Sequence, residues 1–337
     1  MTPLIRRLAL AGSALGLLVA ATLLALYVWL RQPLELSSAS VEMTVEAGQS
    51  PRDIARAWVH AGVRTEPWLL YQAFRWSGRS RLIKAGTYEI GEGTTPQQLL
   101  DKMVNGDETL ETVQVIEGWT FRQMRQALAA TESLRHDSTS LSEAALMAAI
   151  GASGVAAEGH FFPDTYAFGR GTSDLRVYAR AYRSMNRQLD KAWAGRQPDL
   201  PLSSPEDLLK LASIVEKETG HASDRGKIAG VFINRLRIGM PLQTDPTVIY
   251  GLGEHFDGNL RRRDLEQDSP YNTYLRKGLT PTPIALPGLR ALQAAAHPDP
   301  TTALFFVARG DGTSQFSDNL ADHNRAVNEF QRRSAGR

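Results

Sequence analysis

The sequence contains no cysteine, which removes disulfides, thiolate nucleophiles and sulfur metal ligands together. Its seven histidines are scattered without a pair at metal-ligand spacing and no HExxH occurs, so no metal is expected. A glycine-rich phosphate loop and a G-x-S-x-G elbow are both missing, which argues against nucleotide and α/β-hydrolase chemistry. No cofactor is expected. Charge of either sign is not in excess: 38 Lys and Arg face 36 Asp and Glu, a balance that provides no broad basic field for nucleic acid. What is present is a chain of 337 residues, 42% hydrophobic, long enough for one large core or two ordinary ones.

One stretch lacks charge altogether. Leu8 to Leu30 runs without Asp, Glu, Lys or Arg, and as a helix it would reach roughly 34 Å, enough to cross a hydrocarbon core of about 30 Å. Arg6 and Arg7 precede it, while Tyr27 and Trp29 stand at its far end, where an interfacial aromatic belt belongs. The expectation is a short cytoplasmic N-terminus at 1–7, a single transmembrane helix at 8–30 and an exported remainder. A cleaved signal peptide is the alternative, but the apolar run exceeds the usual 7 to 15 or so residues and no small-x-small site follows "YVWLRQP".

Residues 31–40 are polar and turn-rich and read as a linker. A pattern then recurs in "GQSPRDI" (Gly48 to Ile54), "GTTPQQL" (Gly93 to Leu99) and "GWTFRQM" (Gly118 to Met124). Each places Ser50, Thr95 or Thr120 as a helix N-cap after a β-prone segment, with Pro51 and Pro96 at first helical positions. Gln98 and Gln123 suit capping boxes, and Asp53 a weaker version. The spacings are too irregular for a solenoid. Residues 41–106, with strands at about 41 to 46 and 86 to 90 around two helices, have the strand-helix-helix-strand order and size of a LysM domain, a glycan-binding module. An intervening strand-helix region is expected at 107–154, with helical character across 131 to 157. From 155 to 337 the texture changes to amphipathic helices, one from about Asp174 to Ala194, separated by long loops rich in Gln, Asp, Tyr, Asn and Thr. Such loops are where sites live. The fold class expected is α+β, with a mixed α+β catalytic domain in the second half.

The candidate acid emerges from "LLKLASIVEKETG". Leu208, Leu211, Ile214 and Val215 recur at helical spacing, and Glu218 continues their stripe. At about 100° per residue from Leu208, Glu218 falls at roughly 280°, between Leu211 and Ile214, while Glu216 falls at roughly 80°, toward the polar flank. Two residues apart, the two carboxylates cannot share a face. Desolvation raises a carboxyl pKa, and an acid still protonated near neutrality can donate to a leaving oxygen, as glycosidic cleavage requires. A hydrogen-bonding role at the helix C-terminus, or pairing with an Arg such as Arg235, remains the alternative on pattern alone. The loop aspartates Asp164 and Asp245 are more often turn formers than acids.

The segments "FFPDTY", "ASIVEKET", "VFINRL", "LQTDPTVIYG", "PYNTY" and "DHN" stand in this order across residues 161 to 324. In this the chain resembles the MltG (YceG-like) endolytic murein transglycosylases, over nearly its whole length. The resemblance implies a bacterial inner-membrane protein with a periplasmic catalytic domain. It implies cleavage within peptidoglycan glycan strands, between N-acetylmuramic acid and N-acetylglucosamine, leaving a 1,6-anhydro end, with the family's catalytic glutamate falling on Glu218. One such acid suffices, because the nucleophile is the sugar's own C6 hydroxyl. Gln243, Tyr271, Asn272 and Thr273 are the expected glycan contacts, and Glu158, Asp245 and Asn324 the expected supporting residues. Peptidoglycan synthases (penicillin-binding proteins) are the expected partners. "GLTPTPI" (Gly278 to Ile284) departs from the family's frequent "GLPPGPI", which bears on the shape of that loop. The competing readings are a membrane-tethered glycan-binding scaffold for synthases and a muramidase that uses water.

Overall fold

The computed structural model describes residues 16–18, 20–22, 24–218 and 223–332. It resolves into two units, Met1–Glu111 with Ala167–Arg170, and Thr112–Tyr166 with Gly171–Arg337. Its secondary structure is mixed α and β, as expected.

In the first unit, β1 (Ser40–Val45) and β2 (Gly86–Gly91) pair antiparallel with Val41 opposite Ile90 and Met43 opposite Tyr88. Strict alternation buries Val41, Met43 and Val45 on one face of β1, as a half-buried strand requires. Between the strands run α1 (Pro51–Ala61) and α2 (Pro67–Trp76), and α3 (Pro96–Asn105) follows. The repeated pattern has a backbone cause. Gly48, Gly93 and Gly118 all adopt left-handed φ, at 85°, 88° and 78°, a conformation that costs glycine nothing. The chain reverses there and presents the capping hydroxyl: Ser50 accepts the Asp53 N–H, while Thr95 with Gln98 and Thr120 with Gln123 close full capping boxes. Trp58, Phe74, Tyr88, Leu99 and Met103 fill the core. Residues 34 to 37 are tied into this unit. Leu34 is buried and donates its N–H to Thr94 O at 2.8 Å, and Arg64 N–H reaches Glu35 O at 2.8 Å.

The chain runs along β3 (Leu110–Gln114) into the second unit and returns along β4 (Thr165–Gly169), which pairs with it. After α4 (Phe121–Ala129), only α5 (Glu143–Ala149) is helical within 131–157. The rest of that stretch is turns, consistent with its Ser, Asp and Gly content. The expected long helix is α6 (Asp174–Ala194). It packs with α7 (Pro205–Glu218) and a later helix at Leu289–Ala296, and α8 (Arg225–Arg237) packs on those two in turn, around Met185, Leu211, Ile214, Phe232 and Leu292. Between them α9 (Asp245–Leu252) and α10 (Arg262–Glu266) interrupt what reads in sequence as continuous loop, and Leu289–Ala296 is α11. A hairpin of β5 (Phe305–Ala308) and β6 (Ser314–Ser317) leads to α12 (Leu320–Val327). Among the described residues no helix is long and apolar enough to cross a membrane. Part of Leu8–Leu30 lies outside those residues.

Candidate active site

The site is built around α7, which has no broad polar flank. Leu208, Leu209, Leu211, Ala212, Ser213, Ile214 and Val215 are all buried, because α6, α8 and α11 all pack against it. Its last turn therefore carries two glutamates into protein on different sides. Glu216 accepts the Gly288 N–H on Oε2 at 2.9 Å and pairs with buried Arg225 at 3.4 Å. It does not lie on a solvated flank, as the sequence suggests. Its carboxyl is nonetheless raised above its ordinary pKa: burial outweighs the Gly288 N–H and the Arg225 charge.

Glu218 ends the helix half-buried and accepts a hydrogen bond from the Thr244 hydroxyl on Oε1. Burial pushes its carboxyl up to about 7; the Thr244 bond and the Arg235 charge oppose this, and nearby Asp245 adds to it. Arg235 is not its ion-pair partner. The guanidinium donates instead to Leu304 O and Leu242 O, both at 2.6 Å.

Thr244 is held from below. Its N–H donates to Thr273 Oγ1 at 3.1 Å, its carbonyl accepts the Thr247 hydroxyl at 2.8 Å, and the Thr247 and Thr273 hydroxyls meet at 2.8 Å. All three threonines are buried. Gln243 precedes them in left-handed backbone at φ 49°, a strained state for a residue with Cβ. The turn aims Thr244 at the carboxylate.

Beside this network lies a cleft of about 750 Å³ lined by Glu158, Phe121, Lys217, Tyr250, Tyr271 and Thr282 among others. Glu158 is a second buried acid. Its Oε1 accepts the Phe121 N–H at 3.0 Å and its Oε2 the Tyr250 hydroxyl at 3.2 Å. Burial raises it to about 7 against these bonds. Gly159 beside it, at φ 83°, has no room for a Cβ, which would fall 2.3 Å from the Pro283 ring. Tyr250 and Tyr271 meet edge to face at 4.9 Å, and Tyr271 hydrogen-bonds Thr282.

The expected site residues thus separate. Glu218 and Thr273 are linked through Thr244, and Gln243 joins them by donating its N–H to Thr273 O; Asp245 acts on Glu218 through its nearby charge and accepts from the Tyr274 hydroxyl at 2.6 Å. Glu158 and Tyr271 line the cleft. Asn272 is fully buried and its amide donates to Leu265 O and Gln267 O. It orders a loop and, with Thr273, offers no side-chain surface to a glycan. Asn324 is exposed on α12, and among the described residues no hydrogen bond joins it to Glu218. Thr244, Thr247, Tyr250 and Lys217 escape the sequence reading, although the first three lie inside the quoted "LQTDPTVIYG" and Lys217 inside "ASIVEKET". The "GLTPTPI" loop is pinned to α7, where Ile284 N–H donates to Ser213 Oγ at 3.0 Å.

Glu158 makes a stability prediction. A carboxyl raised from 4.5 to about 7 on folding stabilises the fold fully below the unfolded value and loses that contribution as pH rises through about 7, a swing on the order of 3 kcal/mol at most. Glu158→Gln should therefore melt close to wild type at pH 5 and above it at pH 8.5 in thermal scans. A variant less stable than wild type at both pH values would contradict the burial argument.

The YceG-like family profile matches residues 43–329. A protein of Bacillus subtilis named endolytic murein transglycosylase is 42% identical over 173 residues, 51% of this chain and 48% of its own length. Its namesake in Streptococcus pneumoniae is 29% identical over 281 residues, 73% of this chain and 50% of its own length. The chain thus spans about half the length of the curated relatives it matches. The solved structure of a yceG-like protein of Listeria monocytogenes superposes with TM-score 0.53 at 28% identity, covering 86% of this chain and 99% of that one. With the profile covering both units and α7 and its threonine network inside it, the chain belongs to the YceG-like family.

Proposed function

We propose that the protein is a membrane-anchored endolytic lytic transglycosylase acting on peptidoglycan, with Glu218 as its single general acid-base. The observation that carries this is a carboxyl at the end of a buried helix, raised to about 7 and steadied by one hydroxyl on Oε1, which leaves Oε2 for the proton. That proton passes to the glycosidic oxygen as the bond from C1 of N-acetylmuramic acid breaks. The carboxylate then accepts the C6 hydroxyl proton as O6 bonds to C1. No water is consumed, and the new end is 1,6-anhydro. The murein transglycosylase names of the relatives support this reading.

The anchor at Leu8–Leu30, a periplasmic catalytic domain in the inner membrane, a LysM-like glycan-binding role for residues 41–106 and cooperation with penicillin-binding proteins belong to the same proposal. Action close to the membrane, on strands still being made, would terminate their elongation. Glu158, a second buried carboxyl lining the cleft, favours a second reading, a muramidase with water as nucleophile, because hydrolysis of a glycosidic bond uses two carboxyl groups.

Mass spectrometry of the products on purified glycan strands separates the readings: anhydro ends are expected, reducing ends would indicate hydrolysis, and intact strands a scaffold. The pH profile adds a check. Only protonated Glu218 can act as acid, so the rate should fall as pH rises above about 7. Thr244→Val, which removes a bond favouring the charged form, should move that limb to higher pH. A limb that stays in place would uncouple Thr244 from the acid.

A further inference from the structure

We propose that the first unit carries a second membrane contact, an aromatic and basic face centred on α2 that lies on anionic phospholipid headgroups. The inference rests on the proposed anchor at Leu8–Leu30. α2 buries Leu70, Ala73 and Phe74 and turns Trp68 and Trp76 outward, 65% and 57% exposed. On a helical projection Trp68, Arg75 and Trp76 fall within a sector of about 100°, opposite the buried residues. Leu82, just past the helix, is 58% exposed. Two tryptophans and a leucine open to solvent are costly to leave uncovered.

Charge identifies the cover. From Arg64 to Lys84 the chain carries Arg64, Arg75, Arg79, Arg81 and Lys84 against one acid, Glu66. Arg79 pairs with Asp101 of α3 and Lys84 donates to Asn105 O at 2.9 Å, while Arg64, Arg75 and Arg81 are exposed. In a protein of near-neutral overall charge this is a local concentration of cations around exposed indole. Indole settles at the headgroup level of a bilayer, and arginine and lysine reach from there to lipid phosphates. Peptidoglycan strands also carry carboxylates, so the reach of this face to the bilayer is what favours lipid, and the test below separates the two.

Chain geometry puts the face within reach. Trp29 packs against the core of the first unit and Leu34 is part of it. The Arg64 N–H is bonded to Glu35 O, and Glu35 is five residues beyond Leu30, so Arg64 lies within about 20 Å of the end of the anchor. α2 begins three residues later. The unit cannot drift far from the bilayer, and this face gives it a fixed side to present.

The absence of cysteine makes the test simple, because one introduced thiol is unique. Full-length Leu82→Cys and, as an exposed control, Glu92→Cys would be labelled with an environment-sensitive fluorophore and reconstituted into vesicles rich in phosphatidylglycerol. Iodide quenching at position 82 should fall by half or more relative to detergent, with quenching by nitroxide lipid appearing there. Position 92 should change little. Protection should recede in about 1 M salt, where charges are screened beyond some 3 Å, and on adding Trp68→Ser and Trp76→Ser. Unchanged iodide access at position 82, or protection that needs added peptidoglycan or another protein, would overturn the proposal. Flotation after alkaline extraction reads the anchor separately. A chain that is extracted yet still protected at position 82 on vesicles would refute the anchor and uphold the face; one that is extracted and unprotected would refute both.

Discussion

Glu218→Gln is expected to lose at least the 10²- to 10⁴-fold that general acid-base catalysis typically contributes, while its melting temperature stays at or above that of wild type. The amide has the volume of the carboxyl and can still accept the Thr244 hydroxyl bond. It cannot donate a proton to a glycosidic oxygen or take one back. Because burial already disfavours the charged form of Glu218, an uncharged replacement removes an electrostatic cost above about pH 7 rather than adding one. The measurement pairs release of anhydro-ended product with a thermal melt of the same sample. Retained turnover would remove Glu218 from the mechanism, and a collapsed melt would make it structural. Glu158→Gln, read alongside, distinguishes the two carboxyls. If Glu218 alone handles the proton, the Glu158 variant keeps its products anhydro and its alkaline limb near pH 7.

Much of this site is legible in the sequence, for identifiable reasons. Helical periodicity selects Glu218 because the apolar stripe of α7 is continuous with it, and the capping patterns at Ser50, Thr95 and Thr120 are local hydrogen-bond rules that need no tertiary information. What escapes depends on the far side of an element. Glu216 follows Ser213, Ala212 and Leu209 by three, four and seven residues, which places it on their face of the helix, and all three are buried. Glu206, Lys210 and Lys217 share another face, on which Lys217 is exposed and Glu206 partly so, so the buried setting of Glu216 is present in the pattern but masked by its charge. α9 is missed because eight residues beginning Asp-Pro-Thr-Val-Ile carry turn and strand preferences that packing against α7 overrides. The burial of Asn272 and Thr273 could not be read from "PYNTY", since a loop polar residue that faces a substrate and one that caps its own loop have the same composition.

Glu216→Ala, two residues from the proposed acid, should fail in the opposite way. Glu216 holds Arg225 and the Gly288 N–H at once, and the Arg225 and Glu216 side chains are largely shielded, with 10% and 6% of their surface exposed. A pair whose carboxyl pKa is raised despite a cationic partner gains little from being charged, so it adds little net stability compared with an apolar pair. Removing one partner is another matter. Arg225 cannot shed its proton, and its Nε already lacks a partner among the described residues. Truncating Glu216 strands a buried cation and frees the loop that Gly288 ties to α7, at a cost of about 3 to 5 kcal/mol. In a denaturant titration the midpoint should drop accordingly, while the fraction still folded should cleave with a pH profile like that of wild type. Glu216→Gln, which retains an acceptor for Gly288 but not the charge, should fall between the two. A Glu216→Ala protein as stable as wild type but inactive would move the chemistry to the other side of α7 and leave Glu218 with the structural role.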